Sequence, residues 1–264
     1  MNIRVAIAAL AACFSACAGP ALRPSIAPPA PARDALLVLP GFGYGRDDDK
    51  AFRAISRASS ADGVDLYVAS YLTRSGLDPS RDKLARFIRD NRLGRYERLH
   101  VFAFIAGGWT VNPLAEAGAL PNLASITYDR SPYQERAPRI AAASLPLRAW
   151  LRFGSTVFDI AGTPYTPLRT EGVKVALMVE SMPTDFIRRH EAKARQYGPV
   201  DFSCDGFVQR YDDCLYLAMD HDDVYARFAE LWPELIAFIR TGRFTDAANR
   251  TPPAGDPLAR KATK

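Results

Sequence analysis

The stretch Leu99-His100-Val101-Phe102-Ala103-Phe104-Ile105-Ala106-Gly107-Gly108-Trp109 changes character in its middle. Up to Phe104 it is continuously apolar and rich in β-branched and aromatic residues, as a strand buried on both faces must be. After Ile105 come small residues, which permit a tight turn, and a helix is expected from about Gly108. A strand running through a sharp bend into a helix is half of a βαβ unit. Its repetition along a chain means a mainly parallel sheet with helices on both faces.

Working outward, the pattern repeats. Strands are expected over 35–39, 64–69, 123–128, 173–179 and 214–219, which with 99–104 makes about six. Helices are expected over 48–61, over 81–91 with Leu84, Phe87 and Ile88 on one face, and over 224–240. The rhythm breaks at about 133–172, which is apolar and aromatic and is expected to be a helical lid insertion over the ligand-binding edge of the sheet. The expected fold is therefore three-layer α/β, in one domain of about residues 35–244.

The flanks differ. Arg4 precedes an uncharged, apolar run from Val5 to Ala16, too short to span a bilayer and suited to a signal peptide over 1–16. Leu10-Ala11-Ala12-Cys13 and Phe14-Ser15-Ala16-Cys17 both resemble the lipobox of bacterial lipoproteins. The first matches the residue pattern better, and the second leaves a more usual signal length. Cys17 is the preferred acylation site and Cys13 the alternative. Residues 17–34 carry five prolines and read as a tether; residues 245–264 read as a polar, disordered tail. The expected location is the periplasmic face of a bacterial membrane, held by the lipid anchor, or else the periplasm or exterior. In such an oxidising compartment Cys204 and Cys214 pair plausibly, closing a short loop that contributes roughly 3 kcal/mol. No close Cys/His set completes a metal site, and neither metal nor cofactor is expected. The net charge of +5 is partly in the leader and tail, and no basic stripe with interleaved aromatics suggests nucleic acid.

Ligands of open α/β sheets bind beyond the carboxyl ends of the strands. Those ends present Pro40-Gly41-Phe42-Gly43, Ile105-Ala106-Gly107, Asp129-Arg130-Ser131, Glu180 through Asp185, and Asp220-His221-Asp222-Asp223. Here the chain resembles the α/β-hydrolase superfamily over about residues 35–244. The resemblance implies that Gly41, Phe42 and Gly43 form an oxyanion loop, with the Ala106 N–H as a second donor. It makes His221 the triad histidine, Asp185 the best match for the acid and Glu180 the second. Ala103-Phe104-Ile105-Ala106-Gly107 aligns with the nucleophile motif G-x-S-x-G, and Ile105 takes the serine position. A hydrocarbon has no lone pair with which to attack a carbonyl. No other G-x-S-x-G occurs in the chain. Arg130 and Ser131 are candidate anion-binding residues, and Ser131 a stand-in nucleophile. His100 falls at the wrong end of the sheet, and His190 in a charged, solvated stretch.

Three functional expectations follow. The chain binds a lipid, peptide or protein partner without serine-hydrolase turnover. Alternatively it is a weak, esterase-like hydrolase using His221 as general base. Otherwise it is a purely structural envelope lipoprotein.

Overall fold

The computed structural model describes residues 33–129, 134 and 136–260. Six strands, β1 (Asp34–Leu39), β2 (Val64–Val68), β3 (Arg98–Ala103), β4 (Leu123–Asp129), β5 (Lys174–Glu180) and β6 (Asp213–Leu217), form one sheet in the order β2-β1-β3-β4-β5-β6. Every neighbouring pair is parallel, so all six carboxyl ends share one edge. The expected three-layer α/β architecture is the observed one.

Alternation along each strand divides the core in two. Leu37, Val101, Tyr128 and Leu177 face one side. There they meet Leu84 and Ile88 of α2 (Leu77–Asp90) and Val111 and Ala115 of α3 (Ala106–Glu116). Leu36, Val38, Phe102 and Met178 face the other, against α1 (Arg46–Ala61) and the last helix of the domain (Phe228–Thr241). That helix buries Phe228, Leu231, Trp232, Leu235, Ile236 and Ile239, an i, i+3, i+4 stripe wide enough to cover half a sheet. Phe228 anchors it, with ring centroids 4.7 Å from Phe52 and 5.2 Å from Phe102.

Between β4 and β5 the described residues include three short helices, α4 (Ala137–Ser144), α5 (Pro146–Phe153) and α6 (Thr156–Gly162), within the interval expected to be helical. Two more, α7 (Asp185–Arg189) and α8 (Glu191–Gln196), follow β5, which makes the last helix α9. Cys204 and Cys214 stand at disulfide-bonding distance with Cα atoms 6.5 Å apart.

The C-terminal segment departs from the expected disordered tail through Arg260. Arg250 bridges to the Asp213 carboxylate at 2.8 Å, Tyr216 donates its N–H to the Asn249 carbonyl, and Leu258 is buried beside Ile140 and Ile187. Its polar composition conceals a few anchoring residues, each matched to a partner remote in sequence. The leader, the tether up to residue 32, Cys13, Cys17, Arg130 and Ser131 lie outside the described residues, while Asp34, expected to end the tether, is the first residue of β1.

Candidate functional site

The bend after β3 is as tight as its small residues suggest. A Cβ on Gly107 would come within 2.9 Å of the Ala103 Cβ and 3.3 Å of the Leu39 Cβ, so only glycine lets α3 start this close to the sheet. Ile105 caps that helix and is half-buried among Phe42, Leu72, Leu77 and Ile160.

Beyond Ile105 the strand ends carry a buried cluster. Asp129 closes β4 and Glu180 closes β5. Both occupy strand positions of the same parity as Met178, and so emerge on the α1/α9 side of the sheet. His221 follows β6, held by a short turn that Asp220 caps through the N–H groups of Asp222 and Asp223. Its Nδ1 lies 2.8 Å from Asp129 Oδ2 and 3.4 Å from Glu180 Oε1. Both carboxylate side chains are 1% exposed. The imidazole packs near the ring of Phe104, 6.0 Å between centroids.

This burial sets the protonation. Desolvation alone would lower the His221 pKa; the charge of Asp129 and the bonds from both acids outweigh it and hold the imidazole well above its ordinary range. Glu180 moves up to about 8, first through burial and then through the charge of Asp129. Both shifts favour the protonated form, of the imidazole and of the Glu180 carboxyl, near neutral pH. Among the described residues, Asp129, Glu180 and His221 are also the group whose ligand atoms converge closely enough, within 4.8 Å, to hold a cation.

The structure has His221 at this edge, and of the two acids expected, Asp185 first and Glu180 second, Glu180 is the one beside the imidazole. Asp185 is 78% exposed at the start of α7 and pairs with Arg188 at 3.4 Å. Glu180 and Asp129 are the acids against the imidazole. Asp185 follows a four-residue excursion past the end of β5, which carries it away from the sheet edge, whereas the terminal residue of a strand is fixed by the ladder. The available signal was parity: each acid ends an apolar run in the same phase as that run's α9-facing residues.

Gly41 lies in the loop after β1, where an oxyanion donor was expected. Its N–H, however, donates to the Tyr225 hydroxyl at 2.6 Å, and Tyr225 stacks on Phe104 at 4.4 Å between centroids. The phenol thus occupies a donor that the expected oxyanion arrangement needs. Phe42 packs on Phe153 at 4.8 Å, and Gly43 is exposed. Tyr225→Phe is expected to cost about 1–3 kcal/mol by leaving the buried Gly41 N–H unpaired. Urea unfolding of the two proteins measures it, and a difference below experimental scatter would show that the bond contributes nothing.

A cavity of about 400 Å³ opens above this edge. Phe42, Ile105, Phe153 and Val157 give it apolar walls, while Arg148, Arg152 and Arg189 stand at its margin with Asp185 and Asp222, and His221 lines its edge. All three helices α4, α5 and α6 contribute to its lining. His190 lines it too, half-buried and stacked on Phe186 at 4.8 Å, rather than standing in water as its charged neighbours suggested. His100 is where it was expected, inside β3 and remote from this edge. It bonds Ser125 Oγ at 2.7 Å, and burial lowers its pKa to about 4.

Comparison with solved structures gives the frame for these positions. A lipase of Bacillus licheniformis, BlEst2 in mature form, superposes with a TM-score of 0.54 at 14% identity, over 83% of this chain and 98% of that one. Est1E from Butyrivibrio proteoclasticus does so with 0.53 at 14% identity, over 84% and 92%. The chain has an α/β-hydrolase fold. No family model matches its sequence, and no curated protein does. Within the α/β-hydrolase fold, the bend after β3, the acids ending β4 and β5 and the histidine after β6 occupy one edge in the order bend, acid, histidine. The side chain at the bend is Ile105.

Proposed function

We propose that this chain binds an amphiphilic, lipid-like ligand in its α/β-hydrolase cavity without turning it over by serine-hydrolase chemistry. Ile105 carries the reading: at the bend next to the cavity stands a hydrocarbon side chain that can neither attack nor be deprotonated. Two further features support it. The Gly41 N–H is engaged by Tyr225 rather than free for an oxyanion. The two acids beside His221 hold its imidazole above its ordinary range, which disfavours it as a general base near neutral pH. What the cavity offers is apolar wall with charges of both signs at its margin, Arg148, Arg152 and Arg189 beside Asp185 and Asp222, suited to an acyl chain with a polar head. In this reading α4 to α6 act as its cover, and the protein is exported and anchored through an acylated Cys17, with Cys13 as the alternative.

The alternative, an esterase-like activity with His221 as general base, requires a neutral imidazole. It would therefore be favoured as pH rises. The two solved structures above include a lipase, which makes the comparison direct. Purified protein is expected to hydrolyse no p-nitrophenyl ester from pH 6 to 9 and to resist a fluorophosphonate probe. A dansylated fatty acid is expected to bind one to one, and Ile105→Trp, which fills the cavity floor, to weaken it tenfold or more. Labelling of any serine, or ester turnover lost in His221→Ala, would overturn the non-hydrolytic reading; a probe affinity indifferent to Ile105→Trp would overturn the cavity assignment.

A further inference from the structure

Large exposed apolar side chains are rare among the described residues, and three of the four are on α5: Leu147 at 70%, Trp150 at 52% and Leu151 at 40%. Their i, i+3, i+4 spacing puts them on one face of Pro146–Phe153. Ala149, by contrast, is buried, and Phe153 packs on Phe42. The same helix carries Arg148 and Arg152, both exposed, and no acid.

This face is held rigidly. Arg74, exposed itself, donates through Nη2 to the carbonyls of Trp150 and Leu151 at 3.1 and 2.8 Å, and Ser155 donates its N–H to the Arg74 carbonyl. The helix cannot turn its apolar side inward without breaking those bonds. Arg148, Arg152 and Phe153 line the cavity as well, so whatever covers the outer face of α5 also meets the cavity mouth.

We propose that α5 is a docking element for an anionic lipid bilayer. Leucines and a tryptophan on one side of a short helix, flanked by arginines on the other, match the interface of a membrane: apolar side chains enter the acyl boundary, the indole sits at headgroup depth, and guanidinium groups meet lipid phosphates. A protein partner would also bury this face, but the pairing of outward leucines with acid-free cationic flanks favours a surface that is at once apolar and anionic. Docking would place the cavity mouth against the layer that holds amphiphiles. The inference concerns the outer surface of α5 and stands whatever occupies the cavity.

Trp150 is a local reporter, because Trp109 and Trp232 are buried. The test uses the full-length chain with Cys13→Ala and Cys17→Ala, so that no acyl group is attached. With vesicles of equal phosphatidylglycerol and phosphatidylcholine, Trp150 emission is expected to shift to shorter wavelength and to be quenched by lipids brominated on the acyl chain. Trp150→Phe identifies the responding signal by difference. Arg148→Gln with Arg152→Gln is expected to weaken binding on the order of 25-fold, at about fivefold per arginine. Leu147→Glu with Leu151→Glu, both at exposed positions, is expected to abolish the shift with unfolding temperature unchanged. No Trp150 response to anionic vesicles overturns the proposal. So does an equal response to pure phosphatidylcholine, which would remove the role of charge. A blue shift that grows with protein concentration in the absence of lipid would identify a second copy of the chain as the occupant instead.

Discussion

Glu180→Gln is expected to flatten a fall in stability that the wild-type protein shows as pH rises from about 5 to 8. The sign follows from proton counting. Glu180 is raised to about 8 in the folded state, so between the ordinary carboxyl range and pH 8 the folded chain holds a proton that the unfolded chain has released. Stability then decreases as pH rises through that window. His221 acts in the same direction. Its folded pKa is well above 6.5, so its stabilisation is complete below that value and is lost as pH climbs through the folded one. Glutamine keeps the shape of the protonated side chain and removes one of the two titrations. The slope should lessen by up to one proton, about 1.4 kcal/mol per pH unit where the difference is full. Equilibrium urea unfolding at pH 5, 6.5 and 8 reads this directly, and parallel curves for the two proteins would refute the protonated-acid assignment. His221→Leu is the companion. It leaves two carboxyl groups, each 1% exposed, without their cation, and is expected to cost roughly 3–5 kcal/mol at pH 7.

The second large effect is at Gly154, which ends α5. Its backbone stands at φ 69° and ψ −154°, a region essentially reserved for glycine. A Cβ there would fall 2.0 Å from the Arg74 carbonyl oxygen and 2.6 Å from the Arg74 Cβ. One obstacle is backbone and cannot rotate away. Gly154→Ala is therefore expected to cost about 2–4 kcal/mol, combining dihedral strain with displacement of the Arg74 loop. Hydrogen exchange should show the damage concentrated in α5 and in residues 73–76. A loss under about 0.5 kcal/mol would mean that the loop yields freely and that α5 is not held in a fixed orientation.

These two sites differ in how far the linear sequence discloses them. The six strands were legible because a parallel strand buried on both faces must be continuously apolar, and turn residues bound each run. The elbow was legible for a related reason. Small residues at Ala103 and Gly107 are demanded by local geometry, and Ile105 between them is a matter of position alone. His221 was found because a strand end can be counted from the strand itself.

What only tertiary structure decided is which groups meet. Asp129 and Glu180 converge on one imidazole because β4, β5 and β6 are neighbours in parallel register and because both acids share one strand phase; pairing and phase across three strands are not written in any local segment. Asp185, nearer in sequence to the expected acid position, is carried off by the loop that follows β5. Tyr225 reaches Gly41 across 184 positions of sequence, and Gly154 is indispensable only because Arg74 passes beside it. By itself the sequence determined the elements, their order, and the hydrocarbon at the bend. Proximity between distant residues, and with it the protonation of His221 and Glu180 and the outward face of α5, came from packing, because burial and charge separation are properties of the folded interior rather than of the chain.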